Sequence, residues 1–345
     1  MRSVFLAFAL VAAASCGSGG TPSNTGSGGA GTGGAVAMGG AGTGGAVGTG
    51  GKTSSGGAPG TGGKTGSGGA TSKGGAIGTG GSLPPGTCTD VSSASFTVNT
   101  QYGGDYINVD GGSGKSYFMM ANWWGKPYNN QSETVSGIGF TMTNPNNVVT
   151  SQQDTPMGFP SIYIGAYNGK KTAVSNLPKQ VSALTRVPTI FSTNENQKGT
   201  SNYNATYDVW FTATNTPLSS GQSSPGSGGA YLMVWLFSPA DRRPRSPSGS
   251  PTLAGTMIKG IKGGWDVWYD DGKSSTPPQQ PCVSYVSNTA LSSFEFDLNN
   301  FIQDAVTSGT YSITASQYLS VVFAGFEVWG GGDGLKINQF CVNVE

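Results

Sequence analysis

Residues 17–87 repeat variants of Gly-Thr-Gly-Gly-Ala and Gly-Thr-Gly-Gly-Lys and contain almost no large apolar side chain. Such a segment cannot bury enough surface to offset the entropy of ordering it. Any hydrophobic core must therefore be built from residue 88 onward. The tract is expected to be a disordered tether spanning about 45 Å r.m.s.. Its Gly-x-Gly-x-x-Gly matches arise from repetition, with no strand before them and no helix after them, so they do not mark a phosphate site.

From Cys88 the pattern changes to short runs rich in Val, Tyr, Phe, Trp and Thr, punctuated by Gly, Pro, Asn and Ser. The runs are 95–99, 116–121, 135–144, 161–166, 206–213, 230–237, 265–269, 283–287, 319–329 and 335–344. Many short strands with turn signals between them predict an all-β sandwich or jelly roll. Phe301, Ile302, Ala305 and Val306 have helical spacing and predict one short helix over 299–308.

The amino terminus predicts export. Met1-Arg2-Ser3 precedes an apolar run over 4–14, which is too short to span a bilayer. Ala13-Ala14-Ser15-Cys16 resembles a bacterial lipoprotein box without its usual first Leu. Two outcomes stay open: a lipid anchor at Cys16, or ordinary cleavage nearby. The expected organisation is export signal 1–16, linker 17–87 and domain 88–345, secreted or held at the outer surface, and monomeric. Export favours a disulfide among Cys88, Cys282 and Cys341. Cys88 and Cys341 lie near the two ends of the domain, and domain ends are often close in space.

Charge and composition exclude several functions. The net charge is +1 with 10% charged residues, so no basic face exists for nucleic acid. The chain has no histidine. That excludes Ser-His-Asp and Cys-His catalysis and His-ligated metals. Asp270-Asp271-Gly272 and the loop 330–334 read as turns rather than calcium sites, and no cofactor or metal is expected. The abundance of Asn, Ser, Thr and Tyr suits a neutral, hydroxyl-rich ligand.

Proton-transfer chemistry then falls on few acids, since the glutamates are Glu133, Glu195, Glu295, Glu327 and Glu345. Glu133, Glu195 and Glu295 lie in loop-like or polar-face contexts. In the run 321–329, period-two alternation puts Gly325, Glu327 and Trp329 on one face and Phe326 and Val328 on the other. Trp329 beside an acid suits stacking on a sugar ring. In 230–236, Tyr231, Met233 and Trp235 share a face opposite Leu232, Val234 and Leu236. Asp208 falls opposite Tyr207, Val209 and Phe211, and Asn122-Trp123-Trp124-Gly125 sets an amide beside two indoles. Core packing is the commoner fate of any one aromatic; together they form polar-plus-aromatic faces suited to carbohydrate.

These segments resemble glycoside hydrolase family 12, the endo-β-1,4-glucanases and xyloglucanases built on a β-jelly roll of two antiparallel sheets. The resemblance is carried, in order, by 122–125, PSIYIG at 160–165, LPKQVSAL at 177–184, SNYNATYDVWF at 201–211, LMVWL at 232–236, GFEVW at 325–329 and the closing 334–344. It implies a β-1,4-glucan or xyloglucan partner. It implies that Glu327 is the general acid/base and Asp208 the carboxylate supporting the nucleophile. Asn122, Trp124, Met233 and Trp235 fall on glucan-contacting positions.

The chain departs from the family at the nucleophile, where the resemblance expects Glu and the residue is Tyr231. A retaining glycosidase needs two carboxyl groups about 5–5.5 Å apart, and a phenol is a poor substitute at neutral pH. Three chemistries remain open: Tyr231 as nucleophile, Asp208 as base for an inverting water, or a lyase reaction on a uronate. The last would need a cation, and Arg242, Arg243 and Arg245 follow the Tyr231 run, though a solvated loop is the simpler reading. The alternative to an enzyme is a non-catalytic carbohydrate-binding protein on a flexible tether.

Overall fold

Strict alternation over 205–212 and 230–237 sorts side chains onto the two faces of a sheet. Tyr207, Val209, Phe211, Leu232, Val234 and Leu236 point into one apolar core, and Trp210, Tyr231, Met233 and Trp235 pack in a second cluster on the opposite face. A computed structural model describes residues 92–99, 103–109, 114–123, 131–143, 156–194, 202–275 and 278–345. The export segment, the tether, Cys16, Cys88, Trp124 and Glu195 lie outside these residues, as do the expectations placed on them.

Two sheets form a β-sandwich of the jelly-roll kind. The smaller sheet runs, in spatial order, Ser95–Val98, Ser132–Ser136, Phe140–Thr143, Lys336–Val342, Pro188–Thr193 and Ser293–Asp297. The larger runs Leu253–Thr256, Trp265–Asp270, Cys282–Ser287, Ala230–Phe237, Ala205–Thr212, Tyr318–Gly325, Ser161–Tyr167, Ser116–Met120 and Gly104–Asn108. Lys170–Lys171 and Lys179–Gln180 add short side pairings to it. Pairing is antiparallel except between Ala230–Phe237 and Cys282–Ser287, which run parallel.

The aromatic side chains between the sheets interlock. The Tyr207 ring meets Phe191 and Phe296 edge-on at 5.4 Å, and its hydroxyl lies 2.9 Å from Thr189 Oγ1. Edge-to-face pairs contribute about 0.5–1.5 kcal/mol each beyond burial. The helix spans Asn299–Ser308 and buries Phe301, Ile302 and Ala305, with Phe301 against Trp265 at 4.9 Å. Asp297 Oδ1 accepts the Asn299 N–H at its start, and Gly309 ends it with φ 66°.

Three expectations need adjustment. The run 135–144 is a hairpin, Ser132–Ser136 and Phe140–Thr143, folded at Gly137 with φ 63°. The run 319–329 breaks after Gly325 and resumes at Val328–Gly330, which pairs with Asn202–Tyr203 instead. Gly104–Asn108, Pro188–Thr193, Leu253–Thr256 and Ser293–Asp297 are strands beyond the expected runs. Cys282 and Cys341 are both disulfide-bonded; the Cys88–Cys341 pairing involves a residue outside the described ones.

Candidate functional site

The larger sheet's outer face gathers the acids and aromatics. Glu327 lies in the break between Tyr318–Gly325 and Val328–Gly330 and is fully buried at 0% exposure. The break is set by close backbone packing. Phe326 N–H donates to Pro160 O at 3.1 Å and Val328 N–H to Gly158 O at 3.0 Å. A Cβ at Gly325 would stand 2.3 Å from Pro160 O, so only glycine lets the chains approach there.

Asn204 holds Glu327 on three sides. Its side-chain amide donates to Glu327 Oε2 at 2.5 Å, its Oδ1 accepts the Glu327 N–H at 2.9 Å, and its own N–H donates to Glu327 O at 3.0 Å. Asn204 lies at the irregular join between Asn202–Tyr203 and Ala205–Thr212. The sequence reading did not single it out. Its only sequence signal was its place in SNYNATYDVWF.

Asp208 is 1% exposed and lies across the ladder from Met233 and Phe323. Burial pushes its carboxyl up to about 8; the nearby Trp210 indole pulls it part of the way down, and the Glu327 charge adds to the rise. The indole is close without the alignment of a hydrogen bond, since neither Trp210 Nε1 nor Asp208 Oδ1 has a protein partner. Tyr167 also feels Asp208, and its phenol is pushed up to about 12, mainly by burial.

Tyr231 lies across the ladder from Trp210, with the rings edge-on at 5.3 Å. Burial and the Asp208 charge hold its phenol well above the usual tyrosine range, with Arg245 opposing. The phenol is thus firmly neutral at physiological pH. Among the described residues, Asp208 Oδ1, Trp210 Nε1, Tyr231 Oη, Trp235 Nε1, Tyr163 Oη and Ser161 Oγ on this face have no hydrogen-bond partner. Each is costly unless something outside the protein completes it. The atoms are buried in the fold, and their mix of donors and acceptors is the kind that sugar hydroxyls satisfy.

The remaining expected residues fall as follows. Met233 and Trp235 pack on this face with Tyr231, and all three are buried as fully as Trp329 rather than open to a sugar. Trp329 is buried rather than open as a sugar platform: its ring lies 6.3 Å from that of Trp235, and the Arg242 guanidinium stands 5.6 Å over it. Asn122 adopts the left-handed region, φ 50°, and its carbonyl accepts Phe159 N–H at 2.9 Å. Trp123 belongs to the inter-sheet core and donates to Glu133 Oε1 at 3.0 Å.

Glu133 differs from its expected polar-face setting, for it is fully buried, and burial pushes its carboxyl up to about 8. The arginine segment differs too. Arg245 is buried and pairs with Asp270 at 2.6 Å, while Arg242 is only 10% exposed. Asp270 and Asp271 accept the backbone N–H groups of Gly272 and Lys273, as their turn reading expects.

The two raised carboxyls fix a pH dependence. Asp208 and Glu133 start from ordinary values of 3.8 and 4.5 and reach about 8 when folded. Between those limits the folded state holds more protons than the unfolded state, so stability must fall as pH rises. Full stabilisation is present below about pH 4 and is lost through about pH 8, at up to about 1.4 kcal/mol per pH unit per group. Thermal melts from pH 4.5 to 8.5 are expected to show this fall, and Asp208→Asn with Glu133→Gln to flatten it. A wild-type melting temperature that rises across that range would overturn the assignment.

The model of glycosyl hydrolase family 12 matches residues 115–345. The chain is 28% identical over 171 residues to "Probable cellulase Cel12b" of Mycobacterium tuberculosis, covering 49% of this chain and 98% of that protein. Among solved structures, the endo-1,4-β-glucanase CelB2, a cellulase, is 26% identical with a TM-score of 0.59, covering 72% of this chain and 99% of that one. Endoglucanase Cel12A from Rhodothermus marinus is 29% identical with a TM-score of 0.54, covering 74% of this chain and 99% of that one.

Proposed function

The chain belongs to glycosyl hydrolase family 12, and we propose that it is an exported β-1,4-glucan-active protein that grips its polymer at neutral pH without the family's two-carboxylate cleavage. The observation that carries this is the neutral Tyr231 phenol facing Asp208 and the Glu327 side of the sheet. A double displacement needs an attacking carboxylate opposite the acid. Here the attacking position holds a phenol that burial keeps protonated, and the nearest supporting acid, Asp208, is itself protonated below about pH 8.

The remaining machinery favours holding a sugar chain. Asn204 fixes Glu327, and the row of unpartnered donors and acceptors suits hydroxyls. The related cellulases support a β-1,4-glucan, with xyloglucan as its branched form. The apolar run at 4–14 and the glycine-rich 17–87 support export and display at a distance from the cell surface, with Cys16 as the candidate lipid anchor. Fractionation of cells expressing the full chain checks the export.

The test pairs binding with cleavage. Native gels cast with mixed-linkage glucan, xyloglucan or hydroxyethylcellulose are expected to retard the protein, and Trp235→Ala to reduce the retardation. Reducing-end release at pH 7 is expected to match that of Glu327→Gln. Release well above that control would overturn the grip-only reading. Lack of retardation in every glucan would overturn the substrate class. A second reading, inversion with Asp208 as base, draws on the electrostatic coupling of Asp208 to Glu327; it requires cleavage that appears only above about pH 8.

A further inference from the structure

The arginine-bearing segment after Ala230–Phe237 reaches the site face at Trp329. Arg242 stands with its guanidinium carbon 5.6 Å over the Trp329 ring, two residues from Glu327. Its side chain is only 10% exposed, yet its ion pairing is weak. Among the described residues, the one carboxylate within 4.0 Å of it is Asp241, whose Oδ2 lies 3.9 Å from Arg242 Nε. That carboxylate is already engaged. Asn202 Nδ2 donates to Asp241 Oδ1 at 3.0 Å and to Oδ2 at 2.9 Å, and the Asp241 side chain is 64% exposed. Arg242 Nε makes a long contact of 3.4 Å to Asn202 Oδ1.

The guanidinium is thus supported by an aromatic ring, steadied at Nε by an amide, and matched poorly in charge. An arginine stacked on an indole keeps its N–H groups directed outward in the ring plane, a geometry that matches a planar carboxylate bidentately. The other buried arginine does not compete for this role, because Arg245 is neutralised by Asp270. A sugar cannot stack on the Trp329 face that Arg242 covers, so the group offered to a ligand there is the guanidinium.

We infer that this face carries a subsite for a carboxylate-bearing β-1,4-glucan, with Arg242 as the group that recognises the carboxylate. The inference rests on the glucan reading above and narrows its substrate class to acidic chains. It needs no covalent step.

The probes are cellohexaose and a β-1,4-linked glucuronate oligomer of equal length, titrated calorimetrically into the full chain at low and raised salt. The acidic oligomer is expected to bind about tenfold more tightly, as one charge-assisted hydrogen-bonded contact implies, and that preference is expected to shrink with salt. Arg242→Gln is expected to bring the acidic-to-neutral ratio to about 1, and Arg242→Lys to keep part of it. Equal affinity of the wild type for both oligomers would overturn the subsite while leaving the glucan reading in place. A ratio unchanged in Arg242→Gln would also overturn it. Binding of neither oligomer would sink both.

Discussion

Replacing Tyr231 with glutamate is expected to raise reducing-end release from β-1,4-glucan by at least about 100-fold over the wild type, which stays at the level of Glu327→Gln. General acid–base and nucleophilic groups each contribute on the order of 10²–10⁴ in rate, so restoring one missing partner must show above background. The position is already oriented for it. Tyr231 is followed on the same face by Met233 and Trp235 and lies across the ladder from Trp210, on the Asp208 face. A carboxylate there would face Glu327's side of the sheet, the arrangement a double displacement requires.

The electrostatics of the position are mixed. Arg245 favours negative charge at position 231, while burial and the nearby Asp208 oppose it more strongly. The cost is the lost edge-on contact with Trp210, about 0.5–1.5 kcal/mol, a small cavity, and the desolvation of a carboxyl at a position as buried as Asp208, so the restored cleavage is expected to rise with pH as that carboxyl ionises. Tyr231→Phe is the control, because it removes the hydroxyl and keeps the ring. The informative contrary result is an active wild type that both Tyr231→Phe and Tyr231→Glu silence. The phenol would then have a chemical role, and the neutral-grip reading would fall.

The sequence exposed the faces of these strands more readily than their partners. Alternation separated Tyr231, Met233 and Trp235 from Leu232, Val234 and Leu236, because a period of two is imposed locally by the pleat. The helix Asn299–Ser308 was legible for the same reason at a different period. Partnership is not local. Asn204 and Glu327 lie 123 residues apart and join only through the break after Gly325. The parallel pairing of Ala230–Phe237 with Cys282–Ser287 leaves no mark in either strand.

Burial of charge was the least legible feature. Asp241-Arg242-Arg243-Pro244-Arg245 is polar and proline-broken, which describes a surface loop. Arg245, in the loop between Ala230–Phe237 and Leu253–Thr256, is buried against Asp270 at the end of Trp265–Asp270, a partner far along the chain. Glu133 alternates with Val135 in a strand and so shares its core-facing side. Its partner Trp123 belongs to a segment whose second tryptophan had seemed its equal.

Arg245→Met is expected to destabilise the protein by about 3–5 kcal/mol, because it strands a buried carboxylate without its cation. For a domain of this size that lowers the melting temperature by roughly 10 °C. The pair is almost wholly withdrawn from solvent, with side chains 7% and 5% exposed, so screening by water does not rescue Asp270. Its Oδ1 is also committed to the Gly272 N–H at 2.7 Å, which holds the turn where Gly272 takes φ 75°. Asp270→Asn keeps that acceptor and removes the charge, so Arg245→Met combined with Asp270→Asn should lose clearly less than Arg245→Met alone. This non-additivity separates a stranded charge from simple loss of packing.

The same change should be felt at the site. Arg245 Nη2 donates to Gln280 O at 2.8 Å, and the next carbonyl, Pro281 O, accepts the Tyr231 N–H at 2.9 Å. The ion pair therefore fixes the entry of Cys282–Ser287 beside the Tyr231 strand. Tyr231→Glu built on Arg245→Met should recover less cleavage than Tyr231→Glu alone, since it loses both this support and the charge favouring a carboxylate at 231. An Arg245→Met protein that melts within about 2 °C of the wild type would show that the pair contributes little, and the electrostatic argument for Tyr231→Glu would lose its basis with it.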